Sequence, residues 1–420
     1  MVLKNTQIIF RILAWSISRS QYVMSSARNR AKMLMTVIVV LSMMNALVPA
    51  LFLEPRTTPR VPTPSVQEQQ ATAPSGVQGI KGHAVLVGTV DTRDLRATSD
   101  KSSSKGLPFY SPKGAGSATG SESSPQVLST TSSSSIGVSS AFDGINFTQS
   151  NCGCTPPDVQ VAAGPNFVVE MVNTEGETFT KTGVSVNMFF LGSFFQVPSG
   201  HLASDPKILY DASSGRWFAT IIDYTFSFPF VRFSRVMIAV SSNSDPTTWA
   251  IYSVTGTFGL GPVPVIGISD QPIIGVSDDK FVISVNDFAL DNSGGQNFQG
   301  AQFWVLNKSE LVAFASSVDF ATFGPNPSLV SVQPAQSLSS TTTEYMVTVG
   351  VNTTYSGCVD CNPQLLAVTG LPPGNVTVTS TSLSVLPIRQ VPFAVEPGGA
   401  INTDDTRAQS AAWFQGKLWF

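Results

Sequence analysis

PPDVQVAAGPNFVVEMV, residues 156–172, decides the fold. It sets out an aspartate, a short apolar alternation, a Gly164-Pro165-Asn166 turn and a second apolar alternation. A period of two broken by turn residues predicts a β-hairpin. The same order returns in DPKILYDASSGRWFATII (205–222), with Asp205, a Ser214-Gly215-Arg216 turn and Trp217. It returns again in SDQPIIGVSDDKFVISV (269–285), with Asp270 and an Asp278-Asp279-Lys280 turn. DDTRAQSAAWFQGKLWF (404–420) has Asp405 and a Gln415-Gly416-Lys417 turn. A fainter copy, SVQPAQSLSSTTTEYMVTV (331–349), lacks the opening aspartate.

The four aspartates are 47, 65 and 135 residues apart, the last close to twice the preceding interval. Such a period holds four strands and their loops, which is one propeller blade. A four-stranded sheet that is apolar on both faces cannot bury them alone, whereas blades stacked around an axis can. Residues 141–420 are therefore expected to be all-β, a β-propeller with about four to five blades. The chain stops at Trp419-Phe420, inside the second strand of its last unit, so the propeller is expected to be incomplete. A sandwich is the rival, but sandwiches seldom repeat one hairpin at this period. The NKSELVAFA stretch near Asn307 is expected to form a single helical turn.

Working outward, charge divides the rest of the chain. Charged residues make up 12% of 420, well below the roughly 25% of ordinary soluble domains. Residues 1–60 carry +7, 61–140 carry +1 and 141–420 carry −11. An acidic, sparsely charged body excludes nucleic acid as a partner. Residues 33–53, MLMTVIVVLSMMNALVPALFL, form an uncharged apolar run of the roughly 20 residues that span a bilayer as a helix. Residues 1–32 hold Lys4, Arg11, Arg19, Arg28, Arg30 and Lys32, so they stay cytoplasmic and the remainder is exported. The long basic segment favours an uncleaved signal anchor. Cleavage after Ala50 is the alternative, and a start at Met24 would leave an ordinary signal-peptide n-region. Residues 54–140 are rich in Ser, Thr and Pro and read as a disordered, solvated spacer. GHAVLVGTVDTRDL (82–95) is the exception, alternating enough for one strand docked on the body or for a short hairpin.

The runs PPDVQVAAGPNFVVEMVN, DPKILYDASSGRWFATI, VSSNSDPTTWAIYSV and DDTRAQSAAWFQGKLW together resemble exported bacterial and archaeal β-propellers of the sialidase-like superfamily. The resemblance covers most of residues 142–420 and implies the propeller architecture. Members of this group mostly lack an assigned reaction. VSSNSDPTTWAIY also resembles a degenerate Asp-box, with Asp245 and Trp249 matching in type and Thr247 where that motif has Gly. That likeness implies an aspartate bracing a turn and a tryptophan filling a blade.

Asp158, Asp205, Asp270 and Asp405 would occupy equivalent places in successive blades. Either each accepts backbone N–H groups at a strand start, or together they surround an axial channel and bind a ligand, with Ca²⁺ one candidate. No other cofactor is implied. Sialidase-type chemistry needs an arginine clamp on the substrate carboxylate. The body's arginines are Arg216, Arg232, Arg235, Arg389 and Arg407, with Arg216 and Arg407 inside the repeat and read as structural. His201, the body's one histidine, lies in the loop VPSGHLASDP without a G-x-S-x-G elbow and reads as an exposed loop residue. NDFALDNSGGQ, with Asp287 and Asp291, reads as a solvated loop. Cys152, Cys154, Cys358 and Cys361 are expected to form disulfides in an oxidising compartment, most simply Cys358–Cys361, with a Zn site as the alternative. Asn146, Asn307, Asn352 and Asn375 head N-x-S/T sequons open to glycosylation. The expected function is a membrane-anchored, cell-surface module that binds glycan or protein. The alternative is a carbohydrate-active hydrolase with decisive residues outside this sequence.

Overall fold

The computed structural model describes residues 76–96, 140–150, 152, 154, 156–227, 230–255, 267–290, 296–349, 362–385, 394–396, 399–401 and 406–420. All lie within one compact unit, Ala71–Phe420. Residues 1–32, the apolar run 33–53 and the rest of the spacer fall outside the described residues. Among the described residues no helix is long and apolar enough to cross a membrane.

The chain is all-β and follows the repeat. Two strands come first, the short β1 (Val77–Gln78) and the long β2 (Ile80–Asp91). Unit 1 is β3 (Gln160–Ala163), β4 (Phe167–Met171), β5 (Glu175–Thr180) and β6 (Ser185–Phe190), antiparallel in that order. Unit 2 is β7 (Leu202–Asp211), β8 (Arg216–Ser227), β9 (Phe230–Ser241) and β10 (Thr248–Val254). Unit 3 is β11 (Gly267–Val276), β12 (Lys280–Leu290), β13 (Gln296–Asn307) and β14 (Ser317–Asn326). Unit 4 is built from β15 (Gln333–Pro334), β17 (Glu344–Thr348), β18 (Gln364–Thr369) and β19 (Thr377–Ser382), with β16 (Gln336–Ser337) bridging β11 to β22. A hairpin β20 (Ala394–Glu396)–β21 (Gly399–Ile401) precedes the last one, β22 (Ala412–Phe414)–β23 (Lys417–Trp419). That last turn places Gln415 and Gly416 at φ 48° and 78°, the left-handed pair that suits a two-residue hairpin loop. Among the described residues two α-helices interrupt the strands: α1 (Leu191–Phe194), which the sequence pattern did not predict, and α2 (Lys308–Val312), the single turn expected near Asn307.

Successive units pack face to face, and the alternation of each strand explains how. In β8, Trp217, Ala219 and Ile221 join Val169, Met171, Phe189 and Trp249 in a core between units 1 and 2. Phe218, on the opposite face, joins Ile274, Phe281 and Trp304 in the core between units 2 and 3. Val282, Phe303 and Val305 then meet Met346, Leu366 and Val368 of unit 4. Ala335 and Val347 meet Ala411, Trp413 and Leu418 of the last hairpin. Trp217, Trp249 and Trp304 are almost fully buried, so truncating any of them to Ala would cost about 3–5 kcal/mol. The ends of the stack stay uncovered: Val159, Val161, Val184 and Val186 in unit 1, and Phe414, Trp419 and Phe420 at the last hairpin, are exposed. No sheet closes on itself among the described residues.

The strand expected at 82–95 is β2, docked on the body. Its first half pairs with β14 and its second half with β10, antiparallel to both, merging units 2 and 3 into one twelve-stranded sheet. β1 pairs with β19. Beyond β2, the Arg96 carbonyl accepts the Phe190 N–H (3.4 Å), and the Thr92 carbonyl accepts Asn187 Nδ2. One segment thus crosses the outer strands of all four units.

Candidate functional site

The first strands of the units start around one cavity of about 230 Å³. Each unit supplies an opening residue and the residue two further on: Asp158 and Gln160, Asp205 and Lys207, Gln271 and Ile273, Ser331 and Gln333, Arg407 and Gln409. A spacing of two puts both side chains of a pair on the same side of an extended chain. Four of these opening residues sit in the left-handed region, Asp158 (φ 51°), Asp205 (57°), Gln271 (49°) and Ser331 (44°). Non-glycine residues hold that conformation only where their surroundings compensate.

Here the compensation is a set of ties between consecutive units. Asn173 Oδ1, at the end of unit 1's second strand, accepts the Asp205 N–H (3.0 Å) and the Ser204 hydroxyl (3.1 Å). Its Nδ2 donates to Asp158 Oδ2 at 2.7 Å. Asp205 Oδ2 accepts the Gln271 N–H at 3.3 Å. Asn286 repeats the Asn173 arrangement, accepting the Ser331 N–H (2.8 Å) and donating to its hydroxyl (2.9 Å). Arg407 Nη1 donates to the same hydroxyl at 3.4 Å. Asp205 thus accepts the backbone N–H of Gln271 and also lines the cavity.

The register of the repeat needs correction. Asp270 is not the equivalent of Asp158 and Asp205. Gln271 holds that place, because Pro272 aligns with Pro206 one residue after the left-handed position. Asp405 lies outside the described residues, and Arg407 occupies the fifth place in the lining.

Asp270 still reaches the cluster. The carboxyl groups of Asp158 and Asp270 both lie within hydrogen-bonding reach of that of Asp205. Burial first, then the Asp205 charge, pushes the Asp158 carboxyl up to about 6. The same two causes hold Asp270 well above the usual carboxylate range. Burial pulls Lys207 below its ordinary value, opposed by the Asp158 and Asp205 charges. Tyr224 is raised by burial and then by Asp205 and Asp270. Like charges in contact with too few cations describe a site in which two carboxyls are ready to carry a proton or meet a donor. Among the described residues no group of three or more His, Cys, Asp or Glu side chains has metal-holding geometry.

The other residues singled out by sequence fall elsewhere. His201 is no exposed loop residue: Nδ1 contacts Asp223 Oδ1 at 2.7 Å, and Arg235 Nε donates to Asp223 Oδ2 at 2.7 Å. Asp223 is wholly buried, and His201 and Arg235 between them engage both of its oxygens. Asp287 belongs to β12 and is fully buried, not part of a solvated loop, and burial pushes it up to about 7. Asp291 lies outside the described residues. In the Asp-box-like hairpin Trp249 fills the core between units 1 and 2 and donates to the Pro246 carbonyl at 2.9 Å. Asn243, not Asp245, braces that turn, accepting the Asp245 N–H at 2.7 Å.

Cys152 and Cys154 are joined by a disulfide; Cys358 and Cys361 lie outside the described residues. Asn146 and Asn375 are exposed, and Asn352 is outside the described residues. Asn307 is corrected as a glycosylation candidate. It is buried, caps α2, and spends its amide on Glu310 Oε1 and the Pro372 carbonyl, both at 3.1 Å.

Lys207, Gln271, Ser331, Gln333 and Arg407 were missed or read as structural. The signal that could have found them was positional. Two places after each unit's opening residue stand Gln160, Lys207, Gln333 and Gln409, polar in four units of five.

No family model and no curated protein matches the sequence. Among solved structures, the chain shows similarity to an α-L-arabinofuranosidase from Lactobacillus brevis. The identity is 12% over 58% of this chain and 80% of that one, with a TM-score of 0.30. It also shows similarity to a GH43 β-1,3-galactosidase with galactodeoxynojirimycin, at 14% identity over 53% of this chain and 75% of that one, with a TM-score of 0.28. Overlaps this loose carry neither fold nor activity to this chain.

Proposed function

We propose that residues 141–420 form an open β-propeller whose axial cavity binds a small polyhydroxylated ligand, most simply the terminal residue of a glycan. The observation that carries this is the convergence of five repeat-related residue pairs on one polar cavity. Its walls offer acceptors from Asp158 and Asp205, donors from Lys207 and Arg407, and amides from Gln160, Gln271, Gln333 and Gln409. A ligand dense in hydroxyls both donates and accepts, and this lining matches that need. The volume falls somewhat below the roughly 300–1,000 Å³ of drug-sized pockets, which suits one small moiety rather than a protein surface. Export behind the apolar run 33–53 would display the site at the cell surface, a reading that rests on the sequence of residues 1–60.

Titration calorimetry of the full chain against monosaccharides and short glycans tests it. Binding is expected for at least one, weakened at least tenfold by Asp205→Asn and by Lys207→Met. A binding curve that neither substitution alters would sink the assignment.

Hydrolysis is the second reading, favoured by the raised Asp158 and Asp270 carboxyls. Glycosidases, however, hold their two carboxyls about 5–5.5 Å or about 6.5–9.5 Å apart. Asp205 lies within hydrogen-bonding reach of each of these acids, too close to be the second carboxyl of such a pair with either one. Turnover of chromogenic glycosides, lost in Asp158→Asn, would promote this reading over binding.

A further inference from the structure

The outer edges of β10 and β14 face a shared trough, and β2 fills it. Thr248–Ser253 of β10 pair with Val85–Asp91, and Ser317–Thr322 of β14 pair with Ile80–Val85. Unpaired strand edges are templates for another extended chain. The positions of β2 that face inward form a pattern of small and apolar residues: Gly82, Ala84, Leu86, Gly88 and Val90. Ala84 is fully buried, Leu86 packs on the core between units 2 and 3, and Val90 packs on the core between units 1 and 2. A Cβ on Gly82 would lie 2.5 Å from the Phe320 ring, and one on Gly88 2.6 Å from Gln196 Oε1. Gln196 Nε2 also donates to the Thr89 carbonyl at 2.9 Å. Main-chain pairing with pockets for alternate side chains is how sheets recognise extended peptides.

We propose that the trough between β10 and β14 is a strand-acceptor site, and that its occupant, Ile80–Asp91 of the same chain, is exchangeable for an extended peptide of the same small-and-apolar pattern. Because one segment runs on from β19 through β14 and β10 to unit 1, its release would uncover the rims of four units together. β2 is held chiefly by its backbone pairing and by three inward side chains, Ala84, Leu86 and Val90. Its outward residues Val85 and Val87 are exposed, and exposed His83 contacts Asp319 Oδ1 through Nδ1 at 2.7 Å.

The test uses the full chain with a protease site placed within residues 97–139. After cleavage the N-terminal piece is expected to stay bound through gel filtration. A fluorescent peptide of residues 76–96 should then replace it, and the same peptide carrying Gly82→Val and Gly88→Val should bind at least tenfold more weakly. Release of the cleaved piece without uptake of the labelled peptide would overturn the proposal, as would equal uptake of both peptides. Should the cleaved protein unfold, hydrogen exchange on the uncut chain decides. β2 amides are expected to open well before those of β9 and β13, and exchange only on global unfolding would overturn it.

Discussion

The two ends of the first strands handle buried charge in opposite ways. Where β7 begins, Asp205 touches Asp158 and Asp270, and Lys207 and Arg407 line the same cavity. Where β7 ends, Asp211 meets Lys308 at 2.9 Å, both buried. Lys308 also donates to Ser213 Oγ (3.2 Å) and the Ser277 carbonyl, and Ser213 and Ser214 complete the Asp211 carboxylate. Burial alone would raise Asp211, but the Ser214 hydroxyl and Lys308 more than offset it, and its carboxyl lies below the ordinary value. Nearby, Lys280 donates to Asp279 Oδ1 (2.7 Å) and the Thr342 carbonyl. One end pairs Asp211 with Lys308 and Asp279 with Lys280; the other keeps like charges together beside open space. Sealed pairs hold units 2 and 3 in place, whereas an unneutralised cluster is costly unless something binds there.

The comparison breaks most readily at the sealed end. Lys308→Ala should strand Asp211 as a buried unpaired charge and lower the unfolding free energy by about 3–5 kcal/mol in urea titrations. The double change Asp211→Asn with Lys308→Met should recover much of that loss. An effect of Lys308→Ala below about 1 kcal/mol would show that the end is not sealed. At the open end, Asp205→Asn should cost at least tenfold in ligand affinity, about 1.4 kcal/mol, and less stability than Lys308→Ala.

A smaller effect follows from protons. Asp158 has a folded value raised to about 6, so the stability it contributes is full below its unfolded value near 3.8 and lost as pH rises through about 6. Asp287 and Glu175, raised by burial to about 7, extend that window. The melting temperature should thus rise by several degrees from pH 8 to pH 5, and less in Asp158→Asn. Asp211 works the other way, its contribution lost only as pH falls below the ordinary Asp range. An unchanged pH slope in Asp158→Asn would show that the open end carries no such strain.

The smallest effect should come from Glu344→Gln. Glu344 is fully buried and raised by burial despite Lys280 and Lys308, so the amide should stabilise slightly at pH 8 and leave pH 5 unchanged. Calorimetric scans at the two pH values would detect it.

Much of this was legible in the residues. The hairpins at 156–172, 205–222, 269–285 and 404–420 form where alternation and turn residues placed them, because a period of two leaves one face of each strand apolar wherever the chain lies. The strand at 82–95 was legible for the same reason, but its place between β10 and β14 was not, since edge pairing is decided by partners far along the chain. The site was half legible. Asp158 and Asp205 were found by repetition, while Asp270 was misaligned by one residue because the opening Asp-Pro of unit 2 became Asp-Gln-Pro in unit 3.

Sequence alone determined the all-β class, the repeat, and the acidic body behind a basic apolar head, because these depend on local periodicity and composition. Tertiary structure decided which polar residues share a cavity, that Asp223 holds His201 and Arg235, and that Lys308 closes the far end against Asp211. Those outcomes depend on the angle at which one unit packs on the next, and that angle brings together side chains from distant repeats whose charges then set one another's protonation.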